Sequence, residues 1–239
     1  MTAMATQQAT AVTTVVLGPK TRLGTALLAS AGPDAAVYAV ARDDLDRTEL
    51  ASSGATVIDA HSSGPLMHDT RPSSLRIHVC ALGPVHPESA RPEDDASFVE
   101  RDLDIVARLL GEAEGREAHV VLVSSILALA PAADRAYYAG WKNVVEEKLA
   151  SIVAAHPGGR LSVLYPGRLM AAEERTRPWH RMHTTFERLA TLMNDVSEGP
   201  ARSRTVGLDA RIWLMTRSAS LVVTSLSGSR STRERDTDR

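Results

Sequence analysis

The chain has almost no cysteine, since Cys80 is the only one among its 239 residues. An internal disulfide and a cysteine-based metal cage are therefore excluded, and the pattern fits a reducing compartment. Aromatic residues make up only 4% of the chain, so aliphatic side chains supply most of its 44% hydrophobic content. A chain of this length can bury a substantial core, and we expect a single α/β domain.

The sequence also lacks a strong net charge and long apolar runs. Its formal net charge is −2 and its pI is about 6.4, which gives no general attraction to nucleic acid or to an anionic membrane. No apolar run approaches the roughly 20 residues that span a bilayer. The start of the chain lacks the basic and apolar parts of a secretion signal. These absences predict a cytoplasmic protein with a small-molecule partner and with neither nucleic acid nor membrane as a partner.

Both ends of the chain are polar and have few apolar side chains to bury. We expect a disordered lead-in over residues 1–11 and a disordered charged tail over residues 229–239. The arginines of the tail suggest a nucleic-acid arm, but Glu234, Asp236 and Asp238 are interleaved with them and disfavour it. The single domain is expected to occupy residues 12–228.

Within residues 12–228, short apolar runs alternate with helix-like segments. This pattern predicts a Rossmann-like α/β fold, a doubly wound parallel sheet of about seven strands with helices on both faces. The strands are expected at residues 11–17, 36–41, 57–59, 76–81, 119–123, 160–165 and 221–226. The longer helices are expected at residues 97–114, 136–156 and 208–215. The charged and polar segment at residues 171–203 is expected to form a substrate lid with Met170, Trp179, Met182 and Phe186.

The first predicted strand is followed by a turn that has a glycine at each end. Glycine lets the backbone approach a pyrophosphate, and the following helix supplies amide donors and a partial positive charge at its N-terminus. Two glycines six residues apart also occur in ordinary structural turns, but the position in the first strand–turn–helix unit favours dinucleotide binding. The candidate residues of this turn are Gly18, Lys20, Thr21, Arg22, Leu23 and Gly24.

The ends of the second and third strands indicate which dinucleotide is bound. Arg42 comes directly after the second strand, where a basic residue favours the 2′-phosphate of NADP and an acidic one favours the 2′-hydroxyl of NAD. We therefore expect NADP, while the neighbouring Asp43 leaves NAD open. Asp59 ends the third strand and is a candidate acceptor for the adenine amine, or an ordinary capping residue.

Three residues further along have the chemistry of a proton-transfer site. Ser125 follows a buried strand, at the sheet edge where open α/β folds bind ligands. Tyr138 and Lys142 are four residues apart, which places a phenol and an ammonium on one face of a helix. A nearby ammonium lowers the pKa of a phenol, so that Tyr138 can exchange a proton with a carbonyl or alcohol oxygen that Ser125 polarises.

The sequence gives little support for two other kinds of site, a metal site and a Ser/Lys hydrolase site. The histidines have no spacing typical of a metal site, and no acidic partner accompanies them, so no metal is expected. A Ser/Lys hydrolase would need a nucleophile elbow of the Gly-x-Ser-x-Gly kind, which is absent around Ser125.

In these residues the chain resembles the short-chain dehydrogenase/reductase superfamily over residues 13–228. Tyr138 and Lys142 match the family's Tyr-x-x-x-Lys pair, and Ser125 lies thirteen residues before Tyr138, at the family's spacing. Residues 80–83 resemble the Asn-Asn-Ala-Gly segment beside the cofactor. Residues 166–167 resemble the Pro-Gly that faces the nicotinamide. The cofactor contacts that the resemblance implies in addition to the glycine turn are Ala81, Gly83, Tyr138, Lys142, Pro166 and Gly167.

The chain departs from the family pattern in three places, and the first is the absence of both asparagines from the segment at residues 80–83. The middle glycine of the phosphate loop is replaced around Thr21 and Arg22, so a side chain there crowds or contacts the pyrophosphate. The family's Asn that holds a proton-relay water is replaced by Asp102, which the resemblance makes a catalytic candidate. The chain is therefore identified as a divergent member.

The resemblance implies an NADP(H)-dependent oxidoreductase of the ketoreductase or alcohol dehydrogenase type, acting on a small carbonyl or alcohol. An NAD(P)-dependent epimerase or dehydratase is the alternative within the enzymes, and a non-catalytic dinucleotide-binding sensor is the alternative outside them. The resemblance leaves a homo-oligomer open. The Ala- and Arg-rich composition is typical of a GC-rich bacterial genome, where divergent reductases serve specialised metabolism.

Overall fold

The computed structural model describes residues 12–32, 35–52, 55–67, 73–82 and 97–231, with the backbone only at 97–98 and 220–231. Seven parallel strands form one sheet in the order β3-β2-β1-β4-β5-β6-β9. The predicted fold class, a Rossmann-like α/β sheet of about seven strands, is confirmed. The strands are β1 Val12–Leu17, β2 Ala36–Ala41, β3 Thr56–Asp59, β4 Ser74–Val79, β5 Glu117–Val123, β6 Gly159–Pro166, the short pair β7 Leu169–Met170 and β8 Thr184–Thr185, and β9 Ser203–Val206.

Helices cover both faces of this sheet. They are α1 Arg22–Ser30, α2 Asp44–Ser52, α3 Ser97–Glu112, α4 Ile126–Leu129, α5 Ala136–Ala154, α6 Phe186–Glu198 and α7 Leu208–Ser231. One apolar layer joins the sheet to α3 and α5, and the other joins it to α1 and α6. Among the described residues, no helix combines the length and apolar character needed to cross a membrane.

The prediction of the last strand was wrong. Residues 221–226 belong to α7, and the seventh strand is β9, whose Ser203 pairs with Val163 of β6. The apolar run at 221–226 has strand-like composition, but β9 already occupies the edge of the sheet beside β6. β9 was missed because it is an edge strand with only Val206 buried, so its sequence shows no apolar run.

The structure also differs from the boundaries predicted for the two terminal segments of the chain and for the substrate lid. Helix α7 continues to Ser231 and so overlaps the expected disordered tail from residue 229. The expected lead-in at 1–11 and the remainder of the tail lie outside the described residues. Within the expected lid, α6 is a core helix, because its buried side chains pack with α1 in the second apolar layer. Only residues 171–185 of the expected lid precede this core helix.

His78 is a buried polar residue in the middle of the sheet. It lies in β4 between Val16 and Val121, is fully buried, and neither ring nitrogen has a hydrogen-bond partner within the described residues. Burial is the main cause that lowers the pKa of His78 to about 3, and Arg76 and His119 lower it further. An imidazole in this position is therefore neutral and costs folding free energy on account of its unpaired nitrogens.

We expect His78→Leu to stabilise the protein, by about 1–3 kcal/mol at pH 7, because two unpaired polar atoms are removed. The gain should grow as pH falls below about 6.5. Between there and pH 3 the unfolded chain binds a proton on His78 that the folded protein does not, so the wild type loses about 1.4 kcal/mol per pH unit. Urea unfolding of both proteins at pH 7 and pH 5 measures the difference. A difference in stability that does not change with pH would contradict the assignment to His78.

Candidate active site

A cavity of about 850 Å³ lies at the carboxyl ends of β4, β5 and β6. Its wall contains the residues that follow β4, those that follow β5, and the Pro166–Gly167 end of β6. Ligands of open α/β sheets bind at this edge because the strand-to-helix loops diverge there. The predicted site residues that the structure brings together in this wall are Ala81, Ser125, Tyr138, Lys142, Pro166 and Gly167.

Ser125 is held at the start of a helix. It leaves β5 in extended conformation and is the N-cap of α4, where its Oγ accepts a hydrogen bond from the amide of Leu127 at 3.3 Å. The cap orients the hydroxyl toward the first turn of α4, which is also part of the cavity wall. Ser125 is half-buried, so its hydroxyl is accessible from the cavity.

Tyr138 and Lys142 lie on the buried face of α5, as their spacing predicts. The Lys142 Nζ is 5.4 Å from the centroid of the Tyr138 ring and donates a hydrogen bond of 3.0 Å to the carbonyl of Leu82. Burial lowers the pKa of Lys142 to about 8, and the charge of Glu146 opposes this shift. Lys142 is therefore an ammonium whose proton is held much less tightly than that of an exposed lysine.

Glu146 is a residue of this site that the sequence reasoning missed. One of its oxygens accepts a hydrogen bond from the Ser124 hydroxyl, and the other accepts one from the Tyr165 hydroxyl at 2.8 Å. Burial and this hydrogen bond raise the pKa of Tyr165 well above its ordinary value. Glu146 is four residues beyond Lys142, so the spacing already placed it on the same face of α5 and was the signal available in the sequence.

The turn between β1 and α1 is tightly folded and requires a glycine at each end. Gly18 has a φ of +75°, and a Cβ on it would lie 3.2 Å from the amide nitrogen of Ala81 in the cavity wall. A Cβ on Gly24 would collide with the carbonyl oxygen of Gly18. Thr21 caps α1 by accepting from the Gly24 amide at 3.0 Å and donates to the Gly18 carbonyl at 2.8 Å. The residues present therefore fit a dinucleotide, with the helix start beside the cavity.

Arg22, in the region where the resemblance predicts the middle glycine of the loop, contacts the segment expected to form the lid. Its Nη1 is 2.7 Å from Glu174 Oε1, and its guanidinium lies 5.8 Å from the centroid of the Phe186 ring. Glu174 in turn accepts from the amide of Ala171 at 3.1 Å. Phe186 is the one predicted lid residue in the cavity wall, which does not include Met170, Trp179 or Met182.

A set of ion pairs near the ends of β2 and β3 lies apart from the cavity wall, and we call it the adenosine corner because the sequence predicts that the adenosine binds there. In each pair, a lysine or an arginine is bound to a carboxylate. The pairs are Lys20 with Asp46 at 2.9 Å and with Glu49 at 2.8 Å, Arg42 with Asp102 at 2.7 Å, and Arg47 with Asp59.

Asp102, the predicted relay residue, is therefore found at Arg42 and not in the wall that holds Tyr138. Asp59 also accepts a hydrogen bond from the His61 amide at 2.8 Å. Gly83 lies outside the described residues. Within the described part of the chain, no three His, Cys, Asp or Glu side chains come together as a metal site requires.

Removing the charge of Glu146 should move the pKa of Lys142. We expect Glu146→Gln to lower it below its value of about 8, because the carboxylate that favours the ammonium is lost while burial remains. A titration of the Lys142 side chain by NMR measures the shift. Glu147→Gln is the matched control, since Glu147 is the next residue of α5 and is exposed. Equal pKa values of Lys142 in all three proteins would contradict the role of Glu146.

No protein-family model matches the chain, and no curated protein matches it. A short-chain dehydrogenase from Burkholderia cenocepacia in complex with NADP is similar in structure, with a TM-score of 0.60 at 17% identity over 96% of this chain and 98% of that one. A 3-oxoacyl (acyl-carrier-protein) reductase from Agrobacterium tumefaciens with NADP bound has a TM-score of 0.56 at 16% identity, covering 82% and 93%.

An acetoin dehydrogenase from Salmonella typhimurium has a TM-score of 0.53 at 13% identity, covering 86% of this chain and 97% of its own. These identities are low, but each likeness extends over most of both chains. The chain therefore has the fold of the short-chain dehydrogenases and reductases.

Proposed function

We propose that the chain is a divergent short-chain dehydrogenase/reductase, an NADP(H)-dependent oxidoreductase that interconverts a small carbonyl compound and its alcohol. The observation that supports this most is the wall of the cavity, where Ser125, Tyr138 and Lys142 meet at the carboxyl edge of the sheet. A protein that only binds a dinucleotide has no need of a phenol, a hydroxyl and a buried ammonium in one wall. Two of the similar structures hold NADP, which supports the choice of cofactor.

The residues that would hold the dinucleotide follow the sheet edge. The turn from Gly18 to Gly24 and the first turn of α1 would receive the pyrophosphate, and Arg42 would lie at the 2′-phosphate. Ala81 and residues 166–167 would border the nicotinamide. When bound, the nicotinamide supplies or accepts the hydride at the carbonyl carbon of the substrate.

The side chains of the cavity wall supply the proton chemistry. The Ser125 hydroxyl donates a hydrogen bond to the substrate oxygen and fixes its position. The Tyr138 hydroxyl then gives its proton to that oxygen during reduction, and takes it back during oxidation. Lys142 stabilises the phenolate that is left, because its ammonium lies beside the Tyr138 ring. One of the three Lys142 donors binds Leu82, and the others are available to the ribose.

The rest of the wall limits the substrate class. Apolar side chains make up most of it, with Val123, Ile126, Leu127, Leu169, Phe186 and Trp213 among them. Such a surface excludes water and favours a carbonyl compound with an apolar body. The wall also contains five charged residues, namely Asp134, Arg135, Lys142, Arg168 and Asp209. We therefore propose a small, mainly apolar carbonyl or alcohol as the substrate.

The experiment that tests this proposal has two stages. The protein is titrated with NADPH and with NADH while the nicotinamide fluorescence is followed, and a panel of aldehydes and ketones is then screened for oxidation of NADPH. We expect binding of NADPH and turnover of at least one carbonyl. Failure to bind either nucleotide would overturn the cofactor assignment. Binding without turnover on a broad panel would favour the epimerase or the sensor instead.

Tyr138→Phe isolates the proton donor. We expect kcat to fall by about 10²–10⁴-fold, the usual contribution of a general acid, while NADPH binding is retained. Tyr137→Phe is the matched control, because Tyr137 is the adjacent tyrosine, is exposed, and accepts a hydrogen bond from Trp141 outside the cavity. Steady-state kinetics on the substrate found in the panel gives the comparison. A Tyr138→Phe protein as active as its Tyr137→Phe counterpart would disprove the proton-donor role.

A further inference from the structure

Arg42 and Asp102 form an ion pair that the proposed reaction does not use. Arg42 follows β2 and Asp102 lies on α3, sixty residues away in sequence, and Nη2 of the arginine is 2.7 Å from Oδ2 of the aspartate. The Asp102 side chain is 3% exposed, whereas that of Arg42 is 40% exposed. The pair thus has a buried anionic end and a cationic end that reaches the surface of the adenosine corner.

The burial of Asp102 makes the pair interdependent. Loss of water raises the pKa of Asp102, and the nearby Arg42 guanidinium opposes this shift. A guanidinium is planar and has five donors, so it binds a carboxylate through one nitrogen and still presents others to an anion. Asp102 therefore holds Arg42 from its buried side. The exposed part of the guanidinium lies toward the place proposed for the 2′-phosphate.

We infer that Asp102 is a specificity-determining residue for the cofactor, which positions the Arg42 guanidinium and offsets its charge. The inference rests on the proposed function, because it assigns a role at the dinucleotide site. A 2′-phosphate at this corner meets a cation that a buried carboxylate already neutralises. A 2′-hydroxyl carries no charge and is unaffected. Asp102 therefore sets how strongly the protein prefers NADPH over NADH.

The second cation of the corner supports the same interpretation. Lys20 is bound by both Asp46 and Glu49, so it adds little net positive charge for a phosphate. The Arg42 amide also donates to Asp46, at 3.3 Å. Because Lys20 is bound in this way, the positive charge that a 2′-phosphate meets at this corner depends mainly on the balance between Arg42 and Asp102.

Asp102→Asn tests this role. The amide keeps the size of the side chain and an oxygen that accepts from Arg42, but it removes the charge. We expect the Kd of NADPH to fall by about tenfold and that of NADH to change by less than about twofold, because only NADPH has the phosphate that the carboxylate repels. Nicotinamide fluorescence gives both constants. Asp104→Asn, an exposed position two residues further along α3, should leave the NADPH to NADH ratio unchanged.

Arg42→Lys is a second variant that does not alter a buried position. Lysine keeps the charge but lacks the fork that binds Asp102 and a phosphate together. We expect the Kd of NADPH to rise by about tenfold and that of NADH to change by less than about twofold. Unchanged NADPH binding in this variant would overturn the positioning role.

The outcomes separate this inference from the proposed function. If the wild type binds neither nucleotide, the proposed function fails and this inference fails with it. If both nucleotides bind but Asp102→Asn leaves their affinity ratio unchanged, only this inference is overturned. An unchanged ratio together with a large loss of kcat at saturating NADPH would instead assign Asp102 to a proton relay.

Discussion

The buried ammonium of Lys142 is the group on which the cavity depends, because a charge so far from water requires partners at fixed positions. Its Nζ donates to the Leu82 carbonyl in the segment after β4, and the negative charge of Glu146, one turn further along α5, favours the ammonium form. Glu146 also accepts from Ser124 after β5 and from Tyr165 in β6. One ammonium and one carboxylate thereby connect α5 with the ends of three neighbouring strands, and these ends form the wall of the proposed active site.

The side of the sheet that we propose binds the dinucleotide is shaped by other features, namely backbone packing and ion pairs. Gly18 and Gly24 are required because side chains there would meet Ala81 and the turn itself. The charges around the turn are arranged in pairs, from Arg22 with Glu174 in the lid segment to Arg42 with Asp102. The positive charges around the turn are thus balanced by carboxylates of the protein.

Much of the fold could be predicted from the sequence because parallel strands that are buried on both faces have continuous apolar runs. The run of β5 and that of β2 were located nearly to the residue, and the fold class followed. The predicted count of seven strands agrees only because the missed β9 offsets the wrongly predicted strand at 221–226. β9 could not be found in this way, since an edge strand with one buried residue has no such run. Residues 221–226 were wrongly predicted as a strand because they do form an apolar run. Composition alone does not distinguish a strand from the continuation of a helix.

The sequence by itself determined that Ser125, Tyr138 and Lys142 belong to one site, because strand ends and a four-residue helical spacing are local properties. Only the tertiary structure decided the partners of the charged residues. The resemblance made Asp102 a catalytic candidate, and the fold pairs it with Arg42, while the fold alone brings Glu146 to Ser124 and Tyr165. The physical reason is that an ion pair between residues sixty apart depends on how α3 packs against the sheet. No spacing in the sequence encodes that packing.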